Sequence, residues 1–188
     1  MPRRTVLLIG IGLVVLAACD GGGGDTPTPT APSTGGGSPL ATAAFEGGRE
    51  PVEVLDAAPQ TPLLVDVRTG QHEGFDRVVF EFTDALPGYR IEYAQSPIAA
   101  CGSGMPVTIA GDAFLQMRMT PAAAHDEQGN VTFGTTELTP GLPTILEVES
   151  TCDFEGEVTW VLGLSEEVDF NVFFLTDPYR VVVDMAHP

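Results

Sequence analysis

From residue 63 onward apolar and polar side chains alternate with a period of two, run after run. Val78, Phe80 and Phe82 alternate with Arg77, Val79 and Glu81, and Leu63, Val65 and Val67 alternate with Leu64, Asp66 and Arg68. Successive side chains of a strand point to opposite faces, so each run predicts a β-strand with one buried face. The alternation returns in Tyr89-Ile91-Tyr93, Leu115-Met117-Met119, Leu146-Val148, Val158-Trp160-Leu162-Leu164, Phe170-Val172-Phe174 and Val181-Val183-Met185. Pro87-Gly88, Gly111-Asp112, Gly129-Asn130 and Asp177-Pro178 supply turn chemistry between them. About eight or nine short strands, with no long segment of helical period, predict an all-β fold: a small β-sandwich or partly open barrel. All 14 aromatic residues fall within 45–188, enough apolar bulk for one domain with its own core.

The first 44 residues are a different material. Arg3 and Arg4 precede an apolar run from Val6 to Ala18, which ends in Leu16-Ala17-Ala18-Cys19. This resembles a bacterial lipobox, in which the cysteine receives a diacylglycerol and the chain is cut just before it. Residues 1–18 then read as a lipoprotein signal peptide, and Cys19 as the lipidated residue that anchors the protein to the membrane. A membrane-spanning helix needs about 20 apolar residues, and this run of 13 contains Gly10 and Gly12. The paired arginines also partly resemble a twin-arginine signal, which leaves the export route open. Residues 19–44 read as a disordered linker, because Gly, Thr, Pro, Ala and Ser make up 22 of the 25 residues from Asp20 to Ala44. Such a segment buries too little apolar area to offset its ordering entropy. As a coil it reaches about 28 Å. The expected organisation is therefore signal peptide, tether, and a β domain over 45–188.

Charge narrows the function. The chain has 26 Asp and Glu against 8 Arg, no lysine, and a formal net charge of −18. Without lysine there is no Walker-type phosphate loop, Schiff-base enzyme or Ser-Lys hydrolase. The acidic excess argues against a nucleic-acid partner. His72-Glu73 lacks the second histidine of a zinc-protease helix, and Gly102-Ser103-Gly104 is too tightly spaced for a nucleophile elbow. The acidic clusters Asp126-Glu127 and Asp153-Glu155-Glu157 do not match a calcium loop; they read as solvated loops, with a loosely held calcium ion left open. No cofactor, metal centre or catalytic residue is expected. Beyond Cys19, Cys101 and Cys152 remain. In an exported chain that even pair reads as a disulfide, the competing reading being a thiol nucleophile.

The segments Asp66-Val67-Arg68-Thr69-Gly70, Gly74-Phe75-Asp76-Arg77-Val78-Val79-Phe80, Trp160-Val161-Leu162-Gly163-Leu164 and Tyr179-Arg180-Val181-Val182-Val183-Asp184 carry a more specific signal. In this order they resemble the AMIN-like domains of bacterial lipoproteins, over roughly residues 58–188. The related AMIN domain is a small β-sandwich that targets cell-wall amidases and secretins by binding peptidoglycan. The resemblance implies a noncatalytic module that binds peptidoglycan or another envelope polymer. The alternative is a structural lipoprotein that docks another envelope protein through its acidic surface. Polar residues expected at strand ends are the candidate ligand groups: His72, Asp76 and Arg77 between two strands, and His125, Asp126 and Asp153 at two other loops. The same residues also read as ion pairs that fix the ends of the sandwich.

Overall fold

The computed structural model describes residues 45–55 and 59–188. The expected signal peptide, the Cys19 anchor and the linker lie outside the described residues. The described residues form twelve strands: β1 (Val52–Val54), β2 (Leu64–His72), β3 (Phe75–Phe82), β4 (Gly88–Ala94), β5 (Ile98–Ala99), β6 (Pro106–Val107), β7 (Ala113–Thr120), β8 (Glu137–Leu138), β9 (Ile145–Phe154), β10 (Glu157–Leu164), β11 (Phe170–Thr176) and β12 (Tyr179–Ala186). Each of the eight runs expected from alternation lies on a strand. The four additional strands, β1, β5, β6 and β8, have two or three residues each and are too short to carry a period. No described element is helical.

The strands form an open antiparallel sandwich. One sheet has the order β1-β4-β7-β10-β9-β8, the other β11-β12-β3-β2, and β5-β6 is a separate hairpin. The inward rows of the two large sheets interlock around Trp160, Phe80, Leu64, Ile91, Leu115, Met117 and Leu162, all fully buried. Each such side chain contributes about 1.5–3 kcal/mol relative to exposure, which makes the two inner faces the main source of stability. Phe80 and Phe133 both pack against the Trp160 ring.

Alternation misreads two inward faces, and bulges are the reason. Leu64 pairs with Phe82 and Asp66 with Glu81, so Val65 is an extra residue in β2. The buried residues of that stretch are Leu64 and Val67, instead of the expected row Leu63, Val65 and Val67. In β9, Glu147 pairs with Gly163 and Ile145 with Leu164, which makes Leu146 the extra residue. Ile145 and Val148 are buried where Leu146 and Val148 were expected. A bulge inserts one unpaired residue and reverses the facing of everything beyond it.

Part of the outer face of the six-stranded sheet is covered by its own chain. The stretch 95–110, which includes the β5-β6 hairpin, lies over β10, where Ile98, Ile109 and Val161 form a second apolar cluster. This cover explains why β10 is buried on both faces from Val158 to Leu164. Gly163 is required there, because a Cβ at that position would overlap the carbonyl of Ala110. The Cys101–Cys152 disulfide, with its Cα atoms 5.1 Å apart, ties the cover to β9. The Cys101 amide also donates to the Thr151 carbonyl.

Candidate functional site

The four-stranded sheet turns the other side of its strands outward. Register places Phe173, Val182, Val79 and Arg68 in one outward row, Asn171, Asp184, Arg77 and Gly70 in the next, and Phe75 opposite His72 beyond them. Arg77 was expected between two strands, but β2 continues through His72 and β3 begins at Phe75, leaving only Glu73 and Gly74 in the turn. Its guanidinium donates from Nε to Asp184 Oδ1 at 2.6 Å and from Nη2 to Oδ2 at 2.8 Å. This two-point grip holds the Arg77 pKa above its ordinary value, with partial burial opposing it. The cation is also flanked by two rings, 5.2 Å from the Phe75 centroid and 5.4 Å from that of Phe173. The exposed His72 ring stacks on Phe75 at 4.8 Å, with the planes 10° apart. His72, Phe75, Arg77 and Phe173 thus form a ladder of flat groups across an exposed sheet face.

Charge on that face is balanced. Arg68, Arg77 and Arg180 stand in the outward rows against Asp66, Glu81 and Asp184. Arg68 bridges Asp66 at 2.6 Å and Glu81 at 2.9 Å. Every arginine in the described residues is engaged: Arg49 with Asp169, Arg90 with Glu92 and Glu53, and Arg118 with Glu157. Arg180 donates to the carbonyls of Asp177 and Pro178.

Asp76 follows the phase of Val78, Phe80 and Phe82 and points inward, where it is fully buried. Its Oδ2 accepts from the Thr144 and Ile145 amides at 2.7 and 3.1 Å, and its Oδ1 lies 2.9 Å from His187 Nε2. A carboxylate can only accept, so an ionised Asp76 takes this bond from the Nε2–H tautomer of His187. Asp76 therefore stitches β3 to the start of β9 and to the end of the chain, out of reach of solvent.

His125, Asp126 and Asp153 gather at the opposite end of the sandwich, about 23 Å away along β3. His125 Nδ1 lies 2.7 Å from Asp153 Oδ2, and Asp153 Oδ1 accepts from the Ala124 amide. Asp126 closes its own loop by accepting from Asn130 and from the Gln128 amide, and these bonds, led by the Asn130 side chain, hold its pKa below the usual value. His125 and Asp126, with Leu63 and Thr83, line a shallow depression of about 570 Å³. The candidate residues therefore do not converge on one site.

One described group of carboxylates is close enough to hold a cation: oxygens of Glu137, Glu147 and Glu149 lie within 4.8 Å of one another. Glu147 accepts from the Ala110 amide at 2.6 Å. Burial, then the neighbouring Glu137 and Glu147, pushes the Glu149 pKa up. Sequence spacing missed this group because it joins two strands, and the acidic clusters singled out by sequence are not part of it. Phe173, Asp184 and His187 were missed for the same reason: cross-strand pairing alone brings them to Arg77 and Asp76.

The family model of the AMIN-like domain matches residues 62–187, from just before β2 to the last strand. The chain belongs to the AMIN-like domain family. No curated protein and no solved structure matches the chain. AMIN-like domains are binding domains rather than catalytic ones, and the wider AMIN group occurs in proteins of the cell envelope. The match spans all four strands of the sheet that carries Arg77, whereas β1 and the Gly48 region precede it.

Proposed function

We propose that this AMIN-like domain is a noncatalytic module, spanning 45–188, that binds the glycan of peptidoglycan or another envelope polymer on the outer face of its four-stranded sheet. A diacylglycerol on Cys19 holds it to the membrane, and residues 19–44 give it reach. The observation that carries the reading is the His72–Phe75–Arg77–Phe173 ladder. Flat apolar faces suit the C–H faces of sugar rings, and Arg77 keeps N–H groups beyond those committed to Asp184 for hydroxyl or carbonyl oxygens. Because charge is balanced there, an anionic polymer avoids the repulsion that the rest of the surface would exert. Recognition then rests on stacking and hydrogen bonds, and it survives moderate salt.

The test is cosedimentation of the detergent-solubilised full chain with protein-free sacculi. His72→Ala and Phe173→Ala remove ring faces without breaking the Arg77–Asp184 grip, and each should weaken binding about tenfold, roughly 1.4 kcal/mol. His125→Ala, at the other end, should leave binding unchanged. Wild-type protein that stays in the supernatant at every salt concentration would sink the polymer reading.

A further inference from the structure

Strand β11 forms one margin of the four-stranded sheet, and its sequence, Phe-Asn-Val-Phe-Phe-Leu-Thr, contains neither charge nor proline. Natural sheets usually protect such a margin with charges, proline or a cover, because its free backbone groups template another strand. Here only the first residue is covered: Gly48 and Phe170 exchange both backbone hydrogen bonds, at 3.0 and 2.8 Å, in antiparallel sense. That pair shows the margin accepting a strand, and it fixes the phase. Alternate residues of an antiparallel strand turn both backbone groups to the same side, so Val172, Phe174 and Thr176 direct theirs outward as Phe170 does. Among the described residues nothing takes them up.

Beside this margin lies an apolar groove of about 140 Å³, lined by Val54, Leu86, Pro87, Tyr89, Phe174 and Val181. Phe174 itself is 56% exposed. Acids bracket the strand: Glu166, Glu167 and Asp169 precede it and Asp177 follows it, all exposed. Asp169 is matched by Arg49, while Glu166, Glu167 and Asp177 take part in no salt bridge among the described residues. Arg180, the next cation in sequence after the strand, is held on the Asp177 and Pro178 carbonyls.

We propose that the β11 margin docks an extended segment of a partner protein that carries apolar residues at alternate positions and Lys or Arg at its ends. The segment adds a fifth strand, bonds to the outward groups of Val172, Phe174 and Thr176, and seats one apolar side chain in the groove. Its basic ends meet Glu166 and Glu167 on one side and Asp177 on the other. A second copy fits poorly, because antiparallel self-pairing centred on β11 sets Asp169 of one chain opposite Asp177 of the other. This inference does not depend on polymer binding, which uses the broad face of the sheet rather than its edge.

The test is fluorescence anisotropy of the full chain with a labelled peptide, Arg-Arg-Val-Thr-Leu-Thr-Val-Arg-Arg, and a set in which the central leucine becomes Ala, Val, Ile or Phe. At least one member should bind saturably, and a version with Glu at both ends should bind at least tenfold more weakly. Val172→Pro removes an outward N–H while sparing the bonds to β12, and it should weaken binding at least tenfold. Phe174→Lys leaves the backbone intact, places a charge at the mouth of the groove and should do the same, with sacculus binding unchanged. The proposal is overturned if no member binds, if the acidic-ended peptide binds equally, or if both variants bind like wild type. It is also overturned if sedimentation shows a dimer that Val172→Pro dissociates, since the margin then serves a second copy.

Discussion

Asp76→Ala should be among the most damaging single changes in this domain, although it removes only a carboxylate. In the folded protein the Thr144 and Ile145 amides both donate to Asp76 Oδ2, and both residues are fully buried. Deleting the acceptor leaves two N–H groups away from water, each costing about 1–3 kcal/mol, for a total near 4 kcal/mol. His187 adds little, because its side chain is 22% exposed and water can replace the lost partner. At roughly 3 °C per kcal/mol for a domain of this size, Tm should fall by about 12 °C. Asp76→Asn keeps an oxygen for the two amides and turns its NH2 toward His187, whose other tautomer can accept, so it should cost no more than about 1.5 kcal/mol. Urea unfolding followed by Trp160 emission reads both variants, since this sole tryptophan is fully buried. An Ala variant within 1 kcal/mol of wild type would refute the reasoning. So would an Asn variant as unstable as Ala, which would mean that charge, and not the accepted bonds, is what the fold needs.

Three further outcomes are expected. Burial and the neighbouring Glu137 and Glu147 raise the Glu149 pKa in the fold, so the stability it contributes is present below its unfolded pKa and lost as pH rises through the raised value. Glu149→Gln should flatten that decline and be the more stable protein on the alkaline side; an unchanged pH dependence of the urea midpoint would exclude this. Replacing Cys101 and Cys152 with serine opens a link across 51 positions, a loss of about 4 kcal/mol in the chain-entropy account. Hydrogen exchange should show the loss first in 95–110. Cys19→Ala should leave an unlipidated precursor, checked by loss of labelling with a palmitate analogue.

Alternation alone located all eight long strands, because a half-buried strand must write its facing into every second residue. The bulges at Val65 and Leu146 left no mark, since Leu63-Leu64-Val65 and Ile145-Leu146 are apolar on either reading. Asp76 could have been assigned inward, being in phase with Val78 and Phe80; its polarity suggested a loop. What it binds was not legible, because Thr144 and His187 lie 68 and 111 positions away. The Arg77–Asp184 grip depends likewise on β3 and β12 becoming neighbours, which no local pattern announces.

The commitment of every described arginine to a carboxylate or a carbonyl has a colloidal consequence. The described chain has no spare cation with which to recruit counter-charge, and residues 45–188 carry 24 acids against 6 Arg. Copies crowded on one surface therefore repel over about a Debye length, roughly 8 Å at physiological ionic strength. If the proposed lipid anchor holds many copies on one membrane, they should space themselves as a dispersed layer and not as clusters, with a mean separation set by salt.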